Sequence, residues 1–331
     1  MARIVAKVYS RAGLLGNPSD GYGGKTISLP LHNFWAEVSL HPSPNVFLEP
    51  GVEEAPRYDS VYQLIESIER TGYSGGLRLI RASVKRFVSF AENELAIACD
   101  RGFTISYQTN IPRCVGLAGS SALVVAALKV LAEYFNVEMA PPLLASLALT
   151  VERDELGIPA GLQDRVVQAF DRLVYMDFSR MTSMHGLEVG HYQELSQTVP
   201  GNPYVAICRR GAEPTELLHG SLQQRFRRGD VEVTQAMKRF AELAELGKVA
   251  IERGDAEQLN SLIDANFDLR QSICDINPLH LRMIELARSV GASAKFCGSG
   301  GAIIGLVDDD SMFVRLEQKL AQLDCFVVRP I

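Results

Sequence analysis

Gly116-Leu117-Ala118-Gly119-Ser120-Ser121 follows Pro112 and opens a run, Ala122 to Phe135, that lacks glycine and proline and repeats apolar residues at helical spacing. A glycine-rich turn at the head of a helix gathers unpaired backbone N–H groups at one point. The helix dipole adds about half a positive charge there, which favours an anion. Glycine lets the main chain approach that anion closely, and the Ser120 and Ser121 hydroxyls suit phosphate oxygens or a metal ion. The chemistry on offer is phosphate binding. The plainer reading is a helix cap, since Ser is favoured and Gly tolerated there. The stretch is neither the P-loop, because no Lys follows its last Gly, nor G-x-G-x-x-G.

Two other glycine-rich stretches bear on that choice. Arg11 to Gly24, RAGLLGNPSDGYGG, sets five glycines around Arg11, Asn17 and Asp20. A surface turn is the plainer reading for Asn17-Pro18. The density of glycine instead suggests backbone approaching a small ligand, with those three side chains as polar contacts. Near the other end, Lys295-Phe-Cys297-Gly298-Ser299-Gly300-Gly301 links two strand-like segments. Between them, Gly157-Ile-Pro-Ala-Gly161-Leu-Gln-Asp164 places an acid in the first turn of a short helix, either as a dipole-stabilised cap or as a reacting carboxylate. Glu152 lies near the end of the helix that Pro141-Pro142 opens.

These groups need a scaffold. Ala2 to Tyr9 alternates as a half-buried strand and runs into the first glycine stretch, which breaks it. Thr26 to Leu31 and Phe34 to Leu40 suggest a hairpin turning at His32-Asn33. Residues 41–58 hold four prolines and suggest irregular loop. Asp59 to Arg70 and Leu77 to Ala98 suggest amphipathic helices, and Gly102 to Asn110 the strand that enters the phosphate turn. A short helix through Phe170 and a strand at Leu173 to Phe178 follow Asp164. Beyond residue 180, strands near 186–195 and 203–208 precede helices near 214–228, 231–253, 256–273 and 279–290. Strands on either side of Gly298–Gly301, a helix at 311–322 and a strand at 325–329 close the chain. The class expected is α+β in two domains, 1–180 and 181–331.

The bulk numbers agree. A chain of 331 residues exceeds the usual reach of one core. It is 47% apolar and 22% charged, with a net charge of −6, which argues against a nucleic-acid surface. An anionic substrate must therefore be held by local donors. Six scattered cysteines without a C-x-x-C pair suggest small buried residues in a reducing, cytoplasmic setting. No run of 18 apolar residues occurs, so no membrane span is expected, and the oligomeric state stays open.

The three glycine motifs in this order resemble the GHMP kinase superfamily. Pro112, Gly116, Leu117, Ser120 and Ser121 match its P-x-x-x-G-L-x-x-S-S/A pattern, and the stretches at Arg11–Gly24 and Lys295–Gly301 match its first and third motifs. Within it, RAGLLGNPSDGYGGKTISLPLHNFWAEV, TNIPRCVGLAGSSA, ELGIPAGLQDRV and SAKFCGSGGA are similar to plant-type glucuronokinases. The resemblance spans essentially the whole chain. It implies a ribosomal-S5-like N-terminal domain, a ferredoxin-like C-terminal domain, and a site in the cleft between them. It also implies roles. Pro112 and Gly116, Leu117, Ala118, Gly119, Ser120 and Ser121 would cradle the phosphates of ATP, and Ser121 with Glu152 would hold Mg²⁺. Asp164 would be the catalytic aspartate, accompanied by Arg11. Asn17, Asp20, Gly161, Ser299, Gly300 and Gly301 would contact a sugar acid.

Galactokinases carry Gly-Glu-His-Thr-Asp where this chain has Gly16-Asn17-Pro18-Ser19-Asp20. The glutamate there meets the sugar's C6 hydroxyl. A second carboxylate facing a uronic acid would repel it by roughly 1–4 kcal/mol. Asn17 removes that charge and offers two donors, so the implied reaction is ATP-dependent phosphorylation of the anomeric hydroxyl of D-glucuronate. Arg113, Lys25, Arg165 and Arg225 are the cations considered for its carboxylate. The competing expectations are a GHMP kinase for a neutral hexose, a heptose phosphate or an isoprenoid acid, and a silent relative that only binds sugar and nucleotide. A dinucleotide oxidoreductase fits least, for want of G-x-G-x-x-G.

Overall fold

The computed structural model describes residues 3–49, 57–71, 77–195, 198–209 and 216–331. Two antiparallel strands organise the first half: β1 (Ile4–Leu15) and β2 (Lys25–Pro42), paired from Ile4↔Leu40 to Leu15↔Ile27. The strand expected to stop at Tyr9 thus continues through Arg11 and Gly13, and only Gly16, at φ +86°, turns it. The hairpin expected at His32-Asn33 does not form. β2 runs straight through, and the register with β1 jumps between Tyr9 and Ser10 to pass those residues. Their hydrogen bonds go to the chain's end instead: His32 N–H donates to the Ile331 carbonyl at 3.0 Å and Asn33 Nδ2 to the Arg329 carbonyl at 3.0 Å.

Two short strands, β3 (Val46–Leu48) and β4 (Arg57–Tyr58), lie within the proline-rich stretch, of which residues 50–56 lie outside the described residues. They are followed by α1 (Val61–Thr71), α2 (Arg78–Leu95) and β5 (Phe103–Thr109). Next come α3 (Gly119–Phe135), α4 (Pro141–Thr150), a widened π turn at Val151–Glu155, and α5 (Gln163–Phe170). β6 (Val174–Met184) and β7 (Leu187–Glu194) complete a seven-stranded sheet ordered β4-β3-β5-β2-β6-β7, with β1 on the other edge of β2. The first sheet therefore extends past residue 180 to Glu194, and the strand expected near 186–195 belongs to it. α3 is apolar almost all round because it is enclosed, lying against β1 and β2.

The second sheet, ordered β11-β8-β10-β9, is antiparallel and is built from β8 (Asn202–Cys208), β9 (Lys295–Phe296), β10 (Ala302–Val307) and β11 (Cys325–Val328). Its helices are α6 (Glu216–Arg227), α7 (Val231–Arg253), α8 (Ala256–Ile273), α9 (Pro278–Ser289) and α10 (Asp310–Ala321). Asp230, Asp255, Asn277 and Asp309 cap α7, α8, α9 and α10 through their side chains, the sequence signature of helix starts. One core joins β1, β2 and α3 to α7, α8 and the inner face of the second sheet, and a second lies between that sheet, α9 and α10. This mixed, segregated arrangement is the expected α+β class.

Candidate active site

Strand β1 delivers Arg11 as a buried side chain, and the two sheets bring all three glycine motifs to it. Arg11 Nε donates to Asp164 Oδ1 at 2.6 Å, and Nη1 donates to the Gly116 carbonyl at 2.6 Å and the Cys297 carbonyl at 3.3 Å. Main-chain bonds tie the same groups: Arg11 N–H reaches the Leu117 carbonyl at 3.4 Å, and Gly13 N–H the Cys297 carbonyl at 2.8 Å. One guanidinium thus touches the second motif, the third motif and the candidate catalytic acid.

Glycine is needed where these turns meet. A Cβ on Gly116, at φ +72°, would lie 2.9 Å from the Gly300 carbonyl oxygen and 3.0 Å from Ser299 N. A Cβ on Gly298 would overlap the Gly116 carbonyl oxygen and crowd both Arg11 terminal nitrogens. Gly300, at φ +153°, sits over the buried His280 ring. Ser299 and Gly300 therefore lie against the phosphate turn.

Asp164 sits in the first turn of α5, partly open to solvent. Behind it the charges alternate. Arg165 Nη1 lies 3.6 Å from Asp164 Oδ2 and donates to the Gly161 carbonyl at 2.8 Å, while Nε donates to Glu152 Oε2 at 2.7 Å with Nη2 on the same oxygen. The π turn aims Glu152 inward, and Gly161 lies so close to Asp20 that any side chain there would strike its carboxylate. Asp20 is pushed up to about 7, by burial first and by Asp164 second, with Arg11 and Arg165 opposing. An acid of ordinary strength is thereby poised near neutrality beside Asp164.

Asn17 is buried, and its Oδ1 accepts from Lys295 Nζ at 2.7 Å. Lys295 also donates to the Gly13 carbonyl at 2.6 Å and the Phe296 carbonyl at 2.8 Å. Sequence reading quoted Lys295 only as part of the third motif. Arg270 of α8 it missed altogether. Buried, Arg270 donates to the Gly298 carbonyl at 2.7 Å and the Ser299 carbonyl at 2.9 Å. Both cations touch only neutral oxygens among the described residues, and burial pulls both downward, Lys295 to about 7. A basic residue inside a glycine motif was the available signal for Lys295. For Arg270 there was none, because it arrives from a helix remote in sequence.

Of the cations considered for a carboxylate, three are engaged elsewhere. Lys25 pairs with Asp177 at 3.6 Å and with Glu245, Arg225 with Asp230 at 2.8 Å, and Arg165 with Glu152. Arg113 is exposed on the loop before the phosphate turn, next to half-buried Pro112. In that turn Ser120 is exposed and Ser121 buried, with Ser121 Oγ donating to the Ala118 carbonyl at 3.1 Å. Ala118, at φ +59°, and Gly119 bend the main chain into α3, and Leu117 anchors the turn in the core. Of the oxygens expected to hold Mg²⁺, Ser121 Oγ is turned to the Ala118 carbonyl, and Arg165 holds one oxygen, Oε2, of the Glu152 carboxylate. No group of three or more His, Cys, Asp or Glu side chains that could hold a metal ion occurs among the described residues.

The sequence pattern of the GHMP kinases N terminal domain matches residues 82–172. Two Arabidopsis thaliana proteins align over almost the full chain. Probable glucuronokinase 2 is 37% identical, covering 98% of this chain and 89% of its own, and glucuronokinase 1 is 36% identical, covering 100% and 92%. The chain belongs to the GHMP kinases. The crystal structure of Lactococcus lactis galactokinase complexed with galactose superposes with a TM-score of 0.78 over 99% of this chain and 92% of that one, at 15% identity, which carries the fold. Residues 82–172 of this GHMP kinase comprise the phosphate turn, Glu152, Gly161 and Asp164, whereas Arg11, Asn17 and Asp20 lie before them and Lys295 to Gly301 after. The matched segment thus contributes one part of the site, and the stretches before and after it supply the rest.

Proposed function

We propose that this GHMP kinase transfers the γ-phosphoryl group of ATP to the anomeric hydroxyl of D-glucuronate. The observation that carries the reading is Arg11: its guanidinium is bonded at once to Asp164, to the phosphate turn at Gly116 and to the third motif at Cys297. Phosphoryl transfer asks a protein mainly for in-line positioning and for cations on the developing charge. The Gly116–Ser121 turn at the head of α3 is suited to the nucleotide phosphates. Asp164 Oδ2 is the carboxylate oxygen not claimed by the short Arg11 bond, and it would take the proton from the anomeric hydroxyl. The hydroxyl oxygen then bonds to the γ-phosphorus as the bond to the β–γ bridging oxygen breaks, and ADP leaves. Arg11 would stabilise the charge in transit and hold Asp164 in place.

The names of the two plant relatives support glucuronate, as does the neutral Asn17 at the position where galactokinases carry glutamate. Mg²⁺ enters the reading with ATP, held chiefly by the nucleotide's phosphate oxygens, and no step here is routed through Ser121 or Glu152. Cytoplasmic placement is part of the reading too, supported by six cysteines that are all free and mostly buried. No helix among the described residues is long and apolar enough to cross a membrane. The test is a panel of glucuronate, galacturonate, glucose, galactose, a heptose 7-phosphate and mevalonate with Mg-ATP, read as ADP release and by ³¹P NMR. Glucuronate should turn over best, with the new phosphorus signal coupled to the anomeric proton. Preference for a neutral hexose, or a phosphate on another carbon, would overturn the assignment.

A further inference from the structure

Lys295 is a buried basic group among the three glycine motifs, and phosphoryl transfer gives it no task. It is almost fully buried, its three partners are the Gly13 carbonyl, the Phe296 carbonyl and Asn17 Oδ1, and its charged neighbours are Arg11 and Arg270, while burial pushes the adjacent Cys297 thiol up to about 12. Two of the three partners can only accept. While protonated, Lys295 has three hydrogens and no lone pair, so all three oxygens must face it, the Asn17 amide oxygen included. An asparagine side chain is normally free to turn end for end, but here the ammonium settles which end points where. With Oδ1 claimed, Nδ2 must point the other way, and among the described residues it donates to no protein atom.

The amide as a whole sits beside Gly13 of β1 and Gln163 of α5. The main chain of Asn17 is fixed, its carbonyl accepting from Asn266 Nδ2 at 3.2 Å while the neighbouring Gly16 N–H donates to Asn266 Oδ1 at 2.7 Å. The Asn17 Cγ lies 3.2 Å from the point where a Gly13 side chain would begin, and Gln163 Nε2 lies 2.7 Å from the same point. Gly13 is two residues along β1 from Arg11, so the amide lies over the strand face that presents Arg11. An N–H₂ group placed there, with the Asp164 carboxylate already paired to Arg11, favours a ligand with oxygen acceptors, above all a charged one.

We propose that Lys295 is a specificity-determining positioning residue: by holding the Asn17 amide oxygen it presents the Asn17 N–H₂ group as the donor that receives the carboxylate of the sugar acid. Lys295 acts through Asn17 and touches no substrate atom. The proposal rests on the sugar-acid reading above and adds what makes Asn17, otherwise a two-faced group, select for an anion.

The test compares kcat/KM for glucuronate and for glucose in the wild type, Lys295→Gln and Asn17→Asp, with the KM for ATP and the melting temperature on the same preparations. Gln can donate or accept and so frees the Asn17 amide to turn. Asp keeps the shape and puts an acceptor on both ends. Each variant should lower the glucuronate-to-glucose ratio by about tenfold to a hundredfold, the weight of one hydrogen bond to a charged group, with the ATP KM unchanged. Should Lys295→Gln fail to fold, Lys295→Met takes its place, since it too removes the donor that holds Asn17 Oδ1. A role confined to stability would lower the melting temperature and leave the ratio where it was, overturning the proposal while the glucuronate kinase stood. A wild type that does not favour glucuronate overturns both.

Discussion

Lys295→Met offers a measurement of the cleft's electrostatics that needs no substrate. Burial, with Arg270 and Arg11 nearby and Cys297 opposing, pulls the Lys295 ammonium from 10.5 to about 7. The sign follows from proton counting. Between pH 7 and 10.5 the unfolded chain keeps a proton at Lys295 that the folded chain has released, so stability from this group rises with pH across that window. Integrating over those two values, the gain from pH 7 to pH 9 is about 2 kcal/mol. At roughly 2.1 cal/mol/K per residue, 331 residues unfold with an entropy of about 0.7 kcal/mol/K, so the gain corresponds to about 3 °C in Tm. The assay is calorimetry of wild type and variant at half-unit steps from pH 6.5 to 9.5. Other groups titrate in both proteins and cancel in the difference, so the wild-type curve should climb relative to the variant's by about 3 °C. Curves that run parallel would show that burial does not pull Lys295 downward, and the electrostatic reading of the cleft would fail.

Three other outcomes follow from neighbouring groups. Asp20, raised to about 7, should be largely neutral below that pH and ionised above it, so the KM for glucuronate should rise as pH climbs through 7. Steady-state kinetics on Asp20→Asn should show that rise abolished, whatever the variant's absolute activity. Gly298→Ala drives a methyl into the Gly116 carbonyl and against Arg11, and should cut kcat by about 10²-fold with the far-UV circular dichroism unchanged, since a displacement of an ångström at the reacting groups suffices. Glu152→Gln leaves Arg165 short of its buried partner and should cost about 3–5 kcal/mol in denaturant unfolding. The Mg²⁺ needed for half-maximal turnover should stay the same in that variant; a large increase would return Glu152 to the metal.

Local rules made much of this legible beforehand. The phosphate turn could be read because glycine, serine and an unbroken apolar run constrain one another over twenty residues of chain. The caps Asp230, Asp255, Asn277 and Asp309 mark helix starts that periodicity had placed within a few positions. What failed was decided at long range. His32 and Asn33 resemble a hairpin turn, and only the chain's last residues, bonding to them from 296 and more positions away, explain why the strand passes through. The inward orientation of Glu152 depends on Arg165 and on a widened turn that has no sequence signature. Arg270 could not be found at all, since its neighbours in sequence form an ordinary amphipathic helix and its partners are carbonyls of a distant turn.

Asp164→Asn tests the central claim most directly. The alternative to catalysis is that Asp164 merely stabilises the first turn of α5, a role asparagine fills at a cost of tenths of a kcal/mol. As general base it is worth typically 10²–10⁴-fold in rate. The measurement is kcat for glucuronate, ATP affinity and Tm on one preparation of the variant. The account predicts kcat lower by about 10²–10⁴-fold, with ATP affinity and folding close to wild type. A folded, ATP-binding variant that turns over at the wild-type rate would contradict it.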